Sequence, residues 1–181
     1  ESFYDPVDVI VEKGTNRKDF LGGQVSKYTW NNLGSAYALS ELLAAFLTTQ
    51  LSKWEHFTSE RIVQWQHYYD ELSVHQNDLF VLPKIPPYAI HNGHIFFIHL
   101  KSSKHRDAVL NKLQRHGVQA TTHFEPLHLA PAGQKFGRVF GSLENTVKKA
   151  SSLVRLPLWS GMEHQQQDYV MDKLITSLKS L

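Results

Sequence analysis

The stretch over residues 12–51 constrains this chain most, because a glycine-punctuated loop rich in aromatic residues leads directly into a hydrophobic helix. The loop, residues 15–32, carries Phe20, Tyr28 and Trp30. Aromatic side chains gain so much from burial that we do not expect such a loop to be disordered. Long loops in compact domains are usually either functional or disordered, so we predict that this loop has a functional role.

Hydrophobic spacing predicts an α/β sandwich, with a sheet on one side and helices on the other. After the turn signal at residues 32–34, we predict a helix through about Leu51 and a second long helix over residues 54–72. Residues 1–75 are interpreted as a linker loop with long helices, and residues 76–181 as an α/β small domain. The predicted small-domain elements are strands at 79–82, 95–100, 118–122 and 155–158, and helices at 104–116, 142–153 and 163–178.

Composition excludes several classes of function. The net charge is +2 without long runs of like charge, which gives no support to nucleic-acid or acidic-membrane partners. The absence of cysteine excludes disulfides, thiolate nucleophiles and cysteine-ligated metals, and suits a cytoplasmic protein. No apolar stretch approaches the roughly 18 residues of a spanning helix, so we expect no membrane insertion.

The segment EKGTNR, residues 12–17, places charged and amide donors beside a glycine. Lys13, Asn16 and Arg17 suit a phosphate or a carboxylate. A helix end followed by a solvated basic loop would have the same sequence. The segment alone does not decide between this interpretation and an anion-binding site.

The segment HFEPLH, residues 123–128, places His123 and His128 on either side of Glu125. Imidazole and carboxylate invite a metal hypothesis, but the spacing is not a recognised zinc pattern, and we predict no metal site. A loop that donates hydrogen bonds to a sugar or phosphate is our preferred interpretation, with a purely local turn as the alternative. Among the other histidines, His94 opens an apolar strand and is retained as a candidate site residue.

Taken in order, EKGTNR, KYTW, LGSAYALSELLAA, the pair Gln50 and Leu51, HFEPLH and RLPLW resemble the C-terminal half of the DegT/DnrJ/EryC1/StrS sugar aminotransferases. The resemblance runs through nearly the whole chain. It implies the C-terminal small domain of the type I, aspartate-aminotransferase fold: a small, mainly antiparallel sheet with helices on one side, plus two long N-terminal helices. KGTNR, KYTW and LGSxY are most similar to the dTDP-4-amino-4,6-dideoxygalactose transaminase branch.

The resemblance implies a pyridoxal-phosphate enzyme that transfers an amino group from glutamate to a dTDP-4-keto-6-deoxyhexose, for surface polysaccharide biosynthesis. In the family, the lysine that holds the cofactor lies in an N-terminal domain, and Lys13 matches a different, later lysine. We therefore predict no catalytic residue in these 181 residues, and neither cofactor binding nor activity by this chain alone. Its alternative role is a non-catalytic small domain that serves dimerisation or binding.

Family members of this type are homodimers whose active sites straddle the interface, and residues 34–39 match a segment that approaches the neighbouring subunit's cofactor phosphate. Ala36 and Ala38 depart from the asparagine and arginine that many relatives have there, so Ser35 and Tyr37 are the predicted cofactor contacts. The predicted nucleotide-sugar contacts are Lys13, Thr15, Asn16, Arg17, Tyr28, Trp30, His94, His123 and His128.

Overall fold

A computed structural model describes residues 4–37, 39–76 and 79–181. The chain divides into two compact units, Glu1–Lys53 and Trp54–Leu181, which we call unit 1 and unit 2. Each is described by itself. Within the described part of the chain, no helix is both long and apolar enough to cross a membrane.

The described residues of unit 1 form the helices α1 (Tyr4–Val11), α2 (Arg17–Leu21) and α3 (Glu41–Leu51). The N-cap of α3 is Ser40, whose hydroxyl accepts a hydrogen bond from the backbone N–H of Leu43. The prediction of a helix directly after residue 34 is wrong for its first turns. The preceding backbone instead pairs with the segment after α1, through an antiparallel bridge between Glu12 and Ala36.

Unit 2 is a three-stranded antiparallel sheet with helices, and its strand order is β1-β2-β3. Phe80 lies opposite Leu100, and Phe96 lies opposite Leu156. The elements are α4 (Trp54–Ser73), β1 (Phe80–Val81), β2 (Phe96–Leu100), α5 (Ser103–Arg115), α6 (Pro131–Phe136), α7 (Glu144–Ser152), β3 (Leu153–Leu156) and α8 (His164–Lys179).

The core of unit 2 lies on one face of this sheet. Along β2, buried side chains alternate with half-buried ones. Phe96, Ile98 and Leu100 point into the core, where they meet apolar residues of α4, α5 and α8. Successive strand residues face opposite sides of a sheet, so this alternation leaves His99 on the other face. The helices that share the core contribute Trp65, Tyr68, Leu72, Val109, Leu113, Val170, Met171, Leu174 and Leu178.

Helix α4 belongs to unit 2 through buried polar contacts as well as apolar ones. The Gln167 amide donates to the backbone carbonyl of Gln64 at 2.7 Å, and the Gln64 amide donates to the carbonyl of Met162 at 2.9 Å. The division given by backbone contacts therefore falls before α4, whereas the sequence pattern places a boundary after residue 75.

The predicted strand at residues 118–122 is wrong. Only Thr121 pairs with the sheet, through an isolated bridge to Arg155, while Val118 is buried as a single apolar side chain. Gly117 follows the C-cap of α5 with a φ of 71°, the left-handed conformation that commonly ends a helix. The short helix α6 was not predicted; it lies between the HFEPLH segment and α7.

Candidate functional site

The KGTNR turn of unit 1 is built around the backbone of Gly14. Its N–H donates to the carbonyl of Val9 at 2.7 Å, and its carbonyl accepts from the N–H groups of Asn31 and Asn32 at 2.7 and 2.9 Å. Lys13 and Gly14 both have positive φ, at 63° and 76°. This left-handed pair turns the chain out of α1 and brings the start of the aromatic loop, residues 15–32, beside its end.

Thr15 and Asn16 are buried and are engaged by the loop itself. The Thr15 hydroxyl donates to the carbonyl of Glu12 at 2.6 Å. The Asn16 side chain accepts from the N–H of Thr29 at 2.7 Å and donates to the carbonyl of Lys27 at 3.0 Å. One amide side chain therefore closes the aromatic loop, and little of either residue is left to face a ligand.

The other predicted contacts of this loop are exposed. Trp30 and Tyr28 are 72% and 48% exposed, and the Tyr28 ring packs edge-on against Phe20. Lys13 is exposed, and Arg17 pairs at 3.4 Å with the Glu12 carboxylate in an arrangement open to solvent. Such an exposed ion pair contributes little stability, so the guanidinium can exchange this carboxylate for an anionic ligand at small cost.

Ser35 and Tyr37 lie on a segment hydrogen-bonded along the end of α1. The Ser35 N–H donates to Ile10 at 3.0 Å, and the Tyr37 N–H donates to Val11 at 3.3 Å. Their exposed hydroxyls form no hydrogen bond with any described residue, so both can donate to a phosphate oxygen. The pair fits a phosphate as neutral donors. Ala36 adds no donor, and Ala38 lies outside the described residues.

His94 lies in unit 2, where Arg61 of α4 holds the chain that precedes β2. The Arg61 guanidinium donates to the carbonyls of Gly93, at 3.2 Å, and of His94, and lies 3.3 Å from the His94 ring. The imidazole is exposed while its backbone is tied down. The sequence prediction included His94 but assigned no role to Arg61, since an arginine in a helix gives no sign of a partner more than thirty residues away.

His123 and Glu125 line a surface cavity of about 350 Å³ in unit 2, together with Arg106. Both residues are exposed, and His128 is half-buried. Among residues 4–37, 39–76 and 79–181, no group of three His, Cys, Asp or Glu side chains is arranged to hold a metal ion. His123, Glu125 and His128 give this loop three side chains that can form hydrogen bonds.

The predicted site residues thus separate by unit. One set surrounds the KGTNR turn in unit 1: Lys13, Thr15, Asn16, Arg17, Tyr28, Trp30, Ser35 and Tyr37. The histidines His94, His123 and His128 are carried by unit 2.

The model of the DegT/DnrJ/EryC1/StrS aminotransferase family matches residues 7–175. A similar protein is the pleiotropic regulatory protein of Geobacillus stearothermophilus, which is 28% identical over 153 residues, or 84% of this chain. The chain spans only 40% of the length of that relative.

Solved aminotransferase structures share the fold. TlmJ of Streptoalloteichus hindustanus has a TM-score of 0.81 at 20% identity, over 97% of this chain and 44% of its own. PseC of Helicobacter pylori, involved in the biosynthesis of pseudoaminic acid, has a TM-score of 0.81 at 16% identity, over 98% and 46%. DesV of S. venezuelae has a TM-score of 0.81 at 22% identity, over 98% and 44%. The predicted fold class is confirmed.

Proposed function

The chain belongs to the DegT/DnrJ/EryC1/StrS aminotransferase family, and from this premise we propose that it is the C-terminal part of a pyridoxal-phosphate-dependent nucleotide-sugar aminotransferase. The proposed reaction transfers an amino group from glutamate to a dTDP-4-keto-6-deoxyhexose during surface polysaccharide biosynthesis. The observation that carries the proposal is the KGTNR turn, where an ordered backbone presents exposed basic and aromatic side chains next to hydroxyl donors.

We assign substrate binding to the exposed members of this turn. Lys13 and Arg17 supply positive charge for the diphosphate of a nucleotide sugar, and Arg17 can bind two oxygens of one phosphate at once. Trp30 and Tyr28 offer aromatic faces on which a base or sugar ring can pack. Thr15 and Asn16 act indirectly, because their side chains hold the loop in shape. In unit 2, His94, His123 and His128 are proposed to donate hydrogen bonds to the substrate.

Ser35 and Tyr37 are the residues of this chain that we propose to hold a cofactor phosphate. Pyridoxal phosphate, when bound in the whole enzyme, supplies the electron sink that amino transfer requires. The two hydroxyls would donate hydrogen bonds to the phosphate oxygens without adding positive charge. The lysine that holds the cofactor in this family has no counterpart that we identify among these residues, so this chain alone is expected to be inactive.

A homodimer is the proposed assembly, and α3 supports it. None of its residues is buried, even though several are large and apolar. Leu42, Phe46 and Leu51 are 85%, 66% and 56% exposed. Contiguous apolar surface of this kind usually marks an interface. This observation also favours the second candidate function, a non-catalytic domain that serves dimerisation. Sedimentation velocity tests the assembly: we expect a concentration-dependent dimer, weakened by the double variant L42Q/F46Q, and a monomer at all concentrations would contradict it.

Binding of dTDP-glucose to the 181-residue chain, measured by calorimetry, tests the substrate assignment without requiring turnover. We expect Arg17→Gln and Trp30→Ala to weaken binding at least tenfold. Lys53→Gln and Trp54→Ala are the controls, because they remove one positive charge and one indole ring from exposed positions outside the KGTNR turn. Equal binding by all variants would contradict the assigned contacts.

Amino transfer itself is tested with glutamate and the 4-keto sugar nucleotide. We expect no product from the 181-residue chain and none of the absorbance of covalently held pyridoxal phosphate. We expect product when the chain is part of a polypeptide that also supplies the cofactor-binding lysine. Turnover by the isolated chain would overturn the proposal, and no turnover by the larger polypeptide with any keto-sugar nucleotide would favour the non-catalytic role. A cytoplasmic location stays a prediction.

A further inference from the structure

Unit 2 carries a cavity of about 230 Å³ between the ends of β1 and β2 and the last turn of α7. Lysines lie on two of its sides: Lys101 follows β2, and Lys148 and Lys149 belong to α7. None of the residues predicted above to bind cofactor or substrate lines it. The polar residues that complete its wall are His99, Ser102, Ser151 and Ser152.

The charge of this cavity has one sign. None of the described residues that line it carries a carboxylate. The ammonium groups of Lys101, Lys148 and Lys149 form no ion pair with any residue that the structure describes. Like charges around one cavity repel each other, and an anion between them would relieve that repulsion.

The N-terminus of α5 adds to this positive potential. Ser102, which lines the cavity, is the N-cap, and its hydroxyl accepts a hydrogen bond from the N–H of His105 at 3.3 Å. The helix that starts there has 13 residues, so its first backbone N–H groups carry the partial positive charge of a full macrodipole. Such a terminus favours anions, and its N-cap residue lines the same cavity as the three lysines.

The wall of the cavity includes one buried hydroxyl and one half-buried imidazole. Ser152 is 6% exposed, and its hydroxyl donates to the carbonyl of Lys149 at 3.3 Å and lies 3.4 Å from the ring of His99. Burial, together with the positive charge of Lys149, lowers the pKa of His99, while a hydrogen bond to the backbone of Lys149 opposes that shift. The ammonium groups beside these two side chains are the charge-assisted donors that an oxyanion requires.

We propose that this cavity binds a phosphate group, either as the free ion or as the phosphoryl end of a small phosphate ester. The volume favours a small ligand, since pockets that enclose drug-sized molecules measure about 300–1,000 Å³. Lys101, Lys148 and Lys149 supply the charge, and the N-terminus of α5, whose N-cap residue Ser102 lines the cavity, adds positive potential. This inference does not depend on the amino-transfer reaction.

An NMR titration of the 181-residue chain with inorganic phosphate, at constant ionic strength against sodium chloride, tests the site. We expect saturable shifts in the backbone amides of residues 102–104 and 148–152. The triple variant K101Q/K148Q/K149Q should bind phosphate at least tenfold more weakly. The control K53Q/K84Q/K179Q removes the same charge from exposed positions that do not line the cavity, and should keep the wild-type affinity.

Glucose 1-phosphate and glucose separate the two sources of the phosphate group. Tighter binding of glucose 1-phosphate than of free phosphate, with no binding of glucose, identifies an ester as the ligand, and equal binding identifies the free ion. The proposal is overturned if both triple variants lose affinity equally, because the effect would then be one of net charge. It is also overturned if phosphate shifts these amides no more than chloride does.

Discussion

A β-carbon on Gly14 would lie 1.7 Å from the carbonyl oxygen of Asn32. The two ends of the aromatic loop therefore meet backbone to backbone, with no space for a side chain between them. Gly14 also adopts a φ of 76°, which residues with a side chain rarely take. This contact joins the end of α1 to the end of the loop, and the proposed substrate-binding surface depends on it.

Gly14→Ala is expected to open the aromatic loop. The left-handed backbone alone costs a side chain about 1–2 kcal/mol, and the overlap with Asn32 adds to that cost. Hydrogen exchange of the Asn31 and Asn32 amides, which donate to Gly14, should accelerate. Gly23→Ala is the matched control, since Gly23 has a φ of 70° but open space around it. Equal effects of both variants would show that the overlap is unimportant.

Asn16→Ala is expected to loosen the loop even without a ligand. The substitution leaves the N–H of Thr29 and the carbonyl of Lys27 without their partner. Both residues are exposed, so water can replace part of what is lost, and we expect a cost of about 0.5–1.5 kcal/mol. Faster exchange of the Thr29 amide measures the effect, and Asn31→Ala, at an exposed position, serves as the control. Unchanged exchange together with weaker binding of dTDP-glucose would instead make Asn16 a direct substrate contact.

Tyr68→Phe is expected to destabilise unit 2 by about 1–3 kcal/mol, because the buried hydroxyl donates to the carbonyl of Pro157 at 3.0 Å. Burial raises the pKa of Tyr68, so the folded state keeps this proton where the unfolded state loses it near pH 10. Stability should therefore fall above about pH 10, and the variant should lose that dependence. Urea unfolding measures the free energy of unfolding and its dependence on pH, with Tyr69→Phe at a half-buried position as the control. Equal losses of stability in the two variants would contradict the role given to the Tyr68 hydroxyl.

His99 is expected to make unit 2 less stable in mild acid. Burial and Lys149 lower the pKa of His99 in the folded state. The unfolded chain therefore binds a proton at this imidazole near pH 6.5, whereas the folded chain binds it only at lower pH. Stability should therefore fall as the pH drops below about 6.5. Urea midpoints at neutral and mildly acidic pH should differ less for His99→Gln than for the exposed control His75→Gln. An unchanged pH dependence would contradict the prediction.

Local patterns predicted most of unit 2. The run of apolar residues before Leu100 predicted β2, and the spacing along residues 54–72 predicted α4, because strand and helix periods can be read within one segment. The strand predicted at residues 118–122 failed for the complementary reason. A strand needs a partner along its length, and only Thr121 has one.

The sequence by itself determined the family and the fold. Its motifs stand in the same order as in the family, and the spacing of apolar residues that predicts a helix or a strand can be read within one segment. Only the tertiary structure showed that Asn16 closes a loop and that Arg61 holds the chain beside His94, since hydrogen-bond partners far apart in sequence carry no periodic signal. The lysine-lined cavity is also a product of folding. Lys101 and Lys149 approach it only because an antiparallel sheet and α7 bring distant segments together.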